Sequence, residues 1–307
     1  MGNVQTLEAA RRERSKRRQS RLSLLLSKVP KSSLELKSIL TGFPPSPETS
    51  VDAAVLVPSL LYSIGLWHLE HNALCDAFGG HIMCPDAKYL FQSPRTKVLD
   101  VGCANGDWLD SLYLTGFTNP EYHGVDIIAR ENLDPGMMGE TNISRAKFQV
   151  GNVLERLPYG DNEFDFVHQR LLVLGIPKDK WIDVIRELTR VTKHKGWIEL
   201  VEADVTIVHD GPKSQAVLKP FTGALEERGI DTLAGSRLAA NVKQAGNLIN
   251  IKTKTVSIPL GWDGELPNLL MADLKFGLMA LSDWMAQVMG VSTEEYRGMV
   301  DAAASEW

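Results

Sequence analysis

From residue 97 onward, short apolar stretches alternate with segments in which apolar positions recur every three or four residues. The apolar stretches at 97–101, 121–127, 147–151, 163–168 and 197–202 have the length and composition of buried strands, with helical sequence between several of them. Strands separated by helices imply an α/β domain with a doubly wound, mostly parallel sheet. Beyond residue 202 the rhythm changes. Segments 213–229 and 232–245 read as helices, 247–258 as a further strand, and 267–289 as one Met- and Leu-rich amphipathic helix. Upstream, 51–77 reads as helical, and Pro94-Arg95-Thr96 hands the chain to the first strand. The segment 41–50 (TGFPPSPETS) is a linker, because its prolines forbid helix. The expected organisation is therefore an N-terminal extension and linker at 1–50, then a domain at 51–307. Within that domain, 51–96 is helical, 97–204 is the sheet-bearing core and 205–307 forms a helical insertion and cap.

Composition narrows the class. Apolar residues are 44% of the 307, enough for a substantial core. The longest apolar run, 53–67, is broken by Pro58 and Gly65 and falls short of the roughly 18 residues of a membrane span. Three cysteines cannot all pair, which fits a reducing compartment. The net charge of −5 conceals an asymmetry: residues 1–40 hold ten Lys/Arg against three Asp/Glu, so the remainder is strongly acidic. An acidic body does not track a nucleic-acid backbone, so no nucleic-acid partner is expected.

The extension carries its own signals. MGNVQT (1–6) fits the myristoylation pattern with Gly2 as the acylated residue. Arg11, Arg12, Arg14, Lys16, Arg17, Arg18 and Arg21 supply the second, electrostatic signal that a single acyl chain needs at a membrane. A cytoplasmic protein with peripheral membrane contact through Gly2 and residues 11–21 is the expectation. The same charges also serve a nuclear-localisation reading.

The strongest chemical signal is KVLDVGCANGDW (97–108), a strand running into a glycine-rich turn and then a helix. Glycine is needed where ligand atoms approach the backbone too closely for a Cβ or where φ is positive. Spacing distinguishes the cofactors. A dinucleotide site wants glycine at 102, 104 and 107, whereas D-x-G-x-G-x-G wants Asp100 and glycine at 102, 104 and 106. The chain holds Asp100, Gly102, Ala104 and Gly106, three of the four residues of the methyltransferase pattern. Asp126, at the tip of the second strand with Ile127 beside it, is placed to accept ribose hydroxyls. Asn152 and Val153 follow the third strand, where a side-chain carbonyl or the backbone would meet the adenine amino group. Gln169 completes the set of candidate cofactor-binding residues.

In these motifs and those that follow, the chain resembles fungal class I methyltransferases, a group that includes regulators of secondary metabolism. The resemblance rests on FQVGNVLERLPYGDNEFDFVHQRLLVLGIP (148–177), WIDVIRELTRVTKHKGWIELVEAD (181–204) and QAGNLINIKTKTVSIPLG (244–261). It implies a Rossmann-like domain, S-adenosyl-L-methionine as cofactor and 244–261 as the sixth strand. It further implies a closing seventh strand, for which nothing after residue 258 provides a candidate, so an open sheet edge and a shortened C-terminus are expected. The usual Pro-Gly-Gly turn is replaced by His194-Lys195-Gly196, and the second glycine of the loop by Ala104.

Methyl transfer from a sulfonium asks for position, exclusion of water and an unprotonated acceptor. His168, ending the fourth strand, is the expected general base, and a structural histidine is the competing reading. Arg170 could serve an acidic acceptor or the cofactor's carboxylate, and Glu202 and Asp204, after the fifth strand, could orient the acceptor. His71, Cys75, His81 and Cys84 have the spacing H-x3-C-x5-H-x2-C, which matches no standard zinc pattern, so packing rather than a metal is expected there. A small-molecule acceptor, lipid-like or a secondary metabolite, is the leading expectation. Its rivals are a cofactor-binding regulator acting through protein partners and a protein methyltransferase.

Overall fold

The computed structural model describes residues 67–129, 146–262 and 264–307. Gly2, the basic cluster at 11–21, the linker and the front of the helix expected at 51–77 all lie outside these residues.

Strands β1 (Lys97–Val101), β2 (Glu121–Asp126), β3 (Lys147–Val150), β4 (Phe164–Arg170) and β5 (Thr192–Val201) form one parallel sheet in the order β3-β2-β1-β4-β5. The order reverses between β1 and β4, where Asp100 pairs with His168 and Val101 with Gln169. That reversal is where an open α/β sheet leaves a crevice at its C-terminal edge.

Alternation along the strands sends apolar side chains to both faces, as a sheet covered on two sides requires. Leu99, Val101, Phe164 and Val167 pack with Trp181, Val184, Leu188 and Val191 of helix α3 (Trp181–Val191). The i, i+3, i+7, i+10 spacing of those four residues puts them on one face of the helix. On the other side Val98, Tyr122 and Phe166 meet Trp108, Leu109 and Leu112 of helix α2 (Asp107–Leu114) and Phe91 of a 3-10 helix at Pro85–Gln92. Helix α1 (Trp67–Phe78) precedes that turn.

A second apolar core is wholly helical. Val217, Phe221 and Leu225 of α4 (Pro212–Glu227) pack with Leu278 of α6 (Glu265–Ala280), Met285 of α7 (Ser282–Met289) and Tyr296 and Val300 of α8 (Thr293–Ala304). Ser292 caps α8 by accepting from the Glu295 backbone N–H, half of a capping box. Helix α5 (Ala234–Ala245) lies apart from this core and docks on α3. Among the described residues, no helix is long and apolar enough to cross a membrane.

Three sequence expectations need correction. The expected helix at 267–289 is two helices, α6 and α7, which meet at Leu281. The fifth strand starts at Thr192 rather than 197, with a register shift where Thr192 faces Phe164 and Trp197 faces Phe166. His194-Lys195-Gly196 makes that irregularity: Lys195 has φ 66°, and a Cβ on Gly196 would lie 2.9 Å from Lys193 O and 3.0 Å from Asp165 O. Finally, 247–258 is not a strand. Lys252 pairs with Asp86, and Lys254 donates to Phe78 O while lying over the Phe78 ring, so this segment is tied to α1 and the 3-10 turn. Ile249 is left 85% exposed. The sheet therefore has five strands among the described residues, with β5 at one edge.

Candidate functional site

The loop after β1 is held by its neighbours before any ligand is considered. Val125 O accepts the backbone N–H groups of Gly102 (2.8 Å) and Cys103 (3.2 Å), and the Asp126 carboxylate accepts from Ala104 N (2.9 Å) and Ile128 N (3.1 Å). Gly106, at φ 88°, caps the start of α2, and Gly102 has φ 69°. The positive φ explains the glycine at 102, and a Cβ there would also press on the Leu172 side chain at 2.6 Å. Ala104 also takes positive φ, 48°, so the position where the pattern prefers glycine still has the glycine-like conformation. Leu171, opposite, has φ 54°. Left-handed backbone costs an L-residue about 1–2 kcal/mol, and such strain concentrates where a site over-determines the chain.

The cleft between these loops is lined by Asp100, Gly102, Cys103, Ala104, Asn105, Asp107, Trp108, Arg170 and Leu171, and holds about 420 Å³ of empty space, part of it open to solvent. Burial pushes the Asp100 carboxyl up to about 8, Arg170 pulling it back and Asp126 and Asp107 adding to the rise. Arg170 carries a buried Nη1 with no hydrogen-bond partner. An acid whose burial is unfavourable and an unsatisfied guanidinium nitrogen in one cleft suit a zwitterionic guest with a cationic and an anionic end.

Of the residues singled out from sequence, Asp100, Gly102 and Ala104 line this cleft, Gly106 ends the loop, and Asp126 holds the loop through Ala104 N. Ile127, beside Asp126, is half exposed at the strand tip. Asn152 spends its carbonyl locally, accepting from Leu154 N at 3.0 Å, and Val153 packs against the apolar core on the α3 side of the sheet. Gln169 is fully buried and donates to Glu202.

The two residues expected to do chemistry sit behind the cleft wall. His168 is fully buried, its ring stacked on Trp108 at 3.9 Å and 6°, with Nδ1 3.3 Å from Glu199 Oε1. Burial pulls its pKa down against the pull of Glu199, so the imidazole is neutral and walled off from an acceptor by the indole. Glu202 accepts from Leu172 N (2.9 Å), Val173 N (3.1 Å) and Gln169, and is pushed up to about 8 by burial against those three donors. It fixes the turn after β4, which makes it a positioning residue. Asp204 accepts from Ser236 in the first turn of α5 and serves that helix. Trp108 and Arg170 line the cleft, and no motif in the sequence marks Trp108 for it. Its signal was its place in the first turn after the glycine loop.

A parallel sheet with a glycine loop at its switch point and an acid at the tip of β2 defines a nucleotide-type cofactor domain of Rossmann-like form. Comparison with known proteins narrows this. Residues 98–196 match the methyltransferase domain family. The chain is 28% identical over 214 residues to the N-methyltransferase sirN of Leptosphaeria maculans, covering 67% of this chain and 72% of that protein. It is 26% identical to the N-methyltransferase tcpN of Claviceps purpurea over 153 residues, spanning about half of each protein (50% and 53%). A methyltransferase structure from Aquifex aeolicus aligns at 19% identity over 48% of this chain and 80% of that one, with a TM-score of 0.32. Residues 98–196 thus form a methyltransferase domain, and the chain is similar to fungal N-methyltransferases.

Proposed function

We propose that the cleft binds S-adenosyl-L-methionine and that the domain moves its methyl group to a nitrogen of a small secondary metabolite in the cytoplasm. The observation that carries this reading is the pairing of Asp100 and Arg170 in one cleft beside the Gly102–Gly106 loop. The cofactor supplies an activated methyl on a sulfonium. Asp100 and Arg170 would hold the oppositely charged ends of its amino-acid moiety. Asp126, at the tip of β2, would accept from the ribose hydroxyls, and Ile127 offers an apolar surface next to them. Displacement at the methyl carbon needs little covalent help, so alignment and desolvation are what these residues contribute. With His168 buried, the acceptor loses its proton to solvent or arrives neutral, which suits an amine. The nitrogen acceptor is supported by the N-methyltransferase names of two relatives, and the acidic body argues against a nucleic-acid acceptor.

The test is turnover of cofactor to S-adenosylhomocysteine with fungal metabolite extracts, followed by mass spectrometry of the methylated product. Extract-dependent turnover giving an N-methylated product is expected. Cofactor binding without turnover in any extract would favour a regulator working through protein partners. An O-methylated product would overturn the choice of acceptor atom.

A further inference from the structure

The H-x3-C-x5-H spacing matches no standard zinc pattern in sequence, yet the fold brings its three residues together. His71 and Cys75 stand one helical turn apart on α1, an i, i+4 pair on one face. The helix then ends on Gly79 and Gly80, whose backbone N–H groups both donate to Cys75 O (2.9 and 2.8 Å). Their φ angles of 82° and 150° let the chain double back, and His81 is the first side chain after the reversal. Cys75 Sγ lies 3.1 Å from His81 Nδ1 and 3.6 Å from His71 Nε2, and one potential ligand atom from each residue lies within 4.8 Å of the others. Tetrahedral zinc with one thiolate and two imidazoles places its ligand atoms about 3.3–3.6 Å apart. Cys84, the fourth residue of the sequence pattern, is not part of this group.

We infer that His71, Cys75 and His81 form a binding site for a borderline divalent cation, Zn2+ by its ligand set. His71 and Cys75 are buried and His81 is only partly buried, so the fourth position falls on the His81 side, nearest solvent, and takes water. The charged groups facing Cys75 are Arg170, Asp76 and Glu199, so the two acids offset the guanidinium and leave the neighbourhood able to accept a dication. The metal would pin α1 to the turn that carries His81. The His81 carbonyl accepts from the Trp108 indole at 2.8 Å, which joins the site to the wall of the cofactor cleft.

The experiment uses the full chain, stripped with chelator under reducing conditions and titrated with zinc alone, then with cobalt. One equivalent of zinc is expected, with thiolate-to-cobalt charge-transfer absorption. Cys75→Ser should lose that absorption and weaken zinc binding at least tenfold, whereas Cys84→Ser should bind as the wild type does. His81→Gln, altering a partly buried turn residue, carries the same tenfold expectation and stands in if Cys75→Ser fails to fold. Substoichiometric zinc in the wild type, a cobalt spectrum without the thiolate band, or unchanged affinity in His81→Gln would each overturn the site.

Discussion

Asp126 illustrates how one side chain can serve fold and ligand together. Its carboxylate accepts from Ala104 N and Ile128 N, so it shapes the glycine loop beside the ribose position proposed above. Asp126→Ala should therefore weaken cofactor binding by about 1.5–3 kcal/mol, from lost charge-assisted bonds and a loosened loop. Calorimetric titration reads this directly, and an affinity within twofold of wild type would remove Asp126 from the site. His168 leads to a different expectation from the one its sequence position suggests. Its ring fills space between Trp108 and Glu199, so His168→Ala opens a cavity and removes the partner of Glu199 Oε1, while Glu199 Oε2 still accepts from Met83 N and Cys84 N. A stability loss of about 1–3 kcal/mol and weaker cofactor binding are expected, with kcat at saturating cofactor nearly unchanged. A large fall in kcat rescued by raising the pH would restore the general-base role.

At the scale of elements, Arg190 on α3 is the clearest single support. Its guanidinium donates to Leu157 O and Tyr159 O, and to Glu187 and Asp161, while Glu187 in turn accepts from Leu157 N. One side chain thus ties the loop between β3 and β4 to the helix behind it. Arg190→Ala should cost about 2–4 kcal/mol, and Arg190→Lys less but still measurably, because an ammonium cannot reproduce the fork. Denaturant melts test the ranking, and equal stability of the two variants would contradict it. The five strands and the glycine loop were legible in the sequence because each is a local pattern: an apolar run, or glycines at fixed offsets. The segment at 247–258 was not, because its alternation reads as strand while its fate is set by distant partners, Asp86 and Phe78. His168 failed for a related reason. A histidine ending a strand at the switch point has the right address, and only packing reveals that Trp108 stands in front of it. The same holds for His71, Cys75 and His81, whose convergence depends on a two-glycine reversal rather than on ligand spacing.

Across the whole molecule, acids of opposite tendency give the stability a definite pH profile. Asp100 and Glu202 are each pushed up to about 8 by burial, far above the roughly 4 of an unfolded carboxyl. Between those values the native state holds protons that the unfolded chain has released, so the stability these two groups contribute is complete below about pH 4 and is lost as pH rises toward 8. Glu121, held down to about 2 chiefly by Lys147 and His123, has the opposite sign, and its contribution is lost as pH falls toward 2. The unliganded protein should therefore melt at a higher temperature near pH 5–6 than at pH 8.5, and Asp100→Asn and Glu202→Gln should each flatten that slope. The cofactor adds a linked effect, because a cationic guest favours the ionised form of Asp100. Its affinity should climb as pH rises from 6 to 8 with release of a proton, while Asp100→Asn binds more weakly and without that climb. Calorimetric titrations in buffers of different ionisation enthalpy count the proton. If wild type and Asp100→Asn share the same pH dependence, Asp100 does not face the bound cofactor, and the charge pairing that underlies the proposed site fails with it.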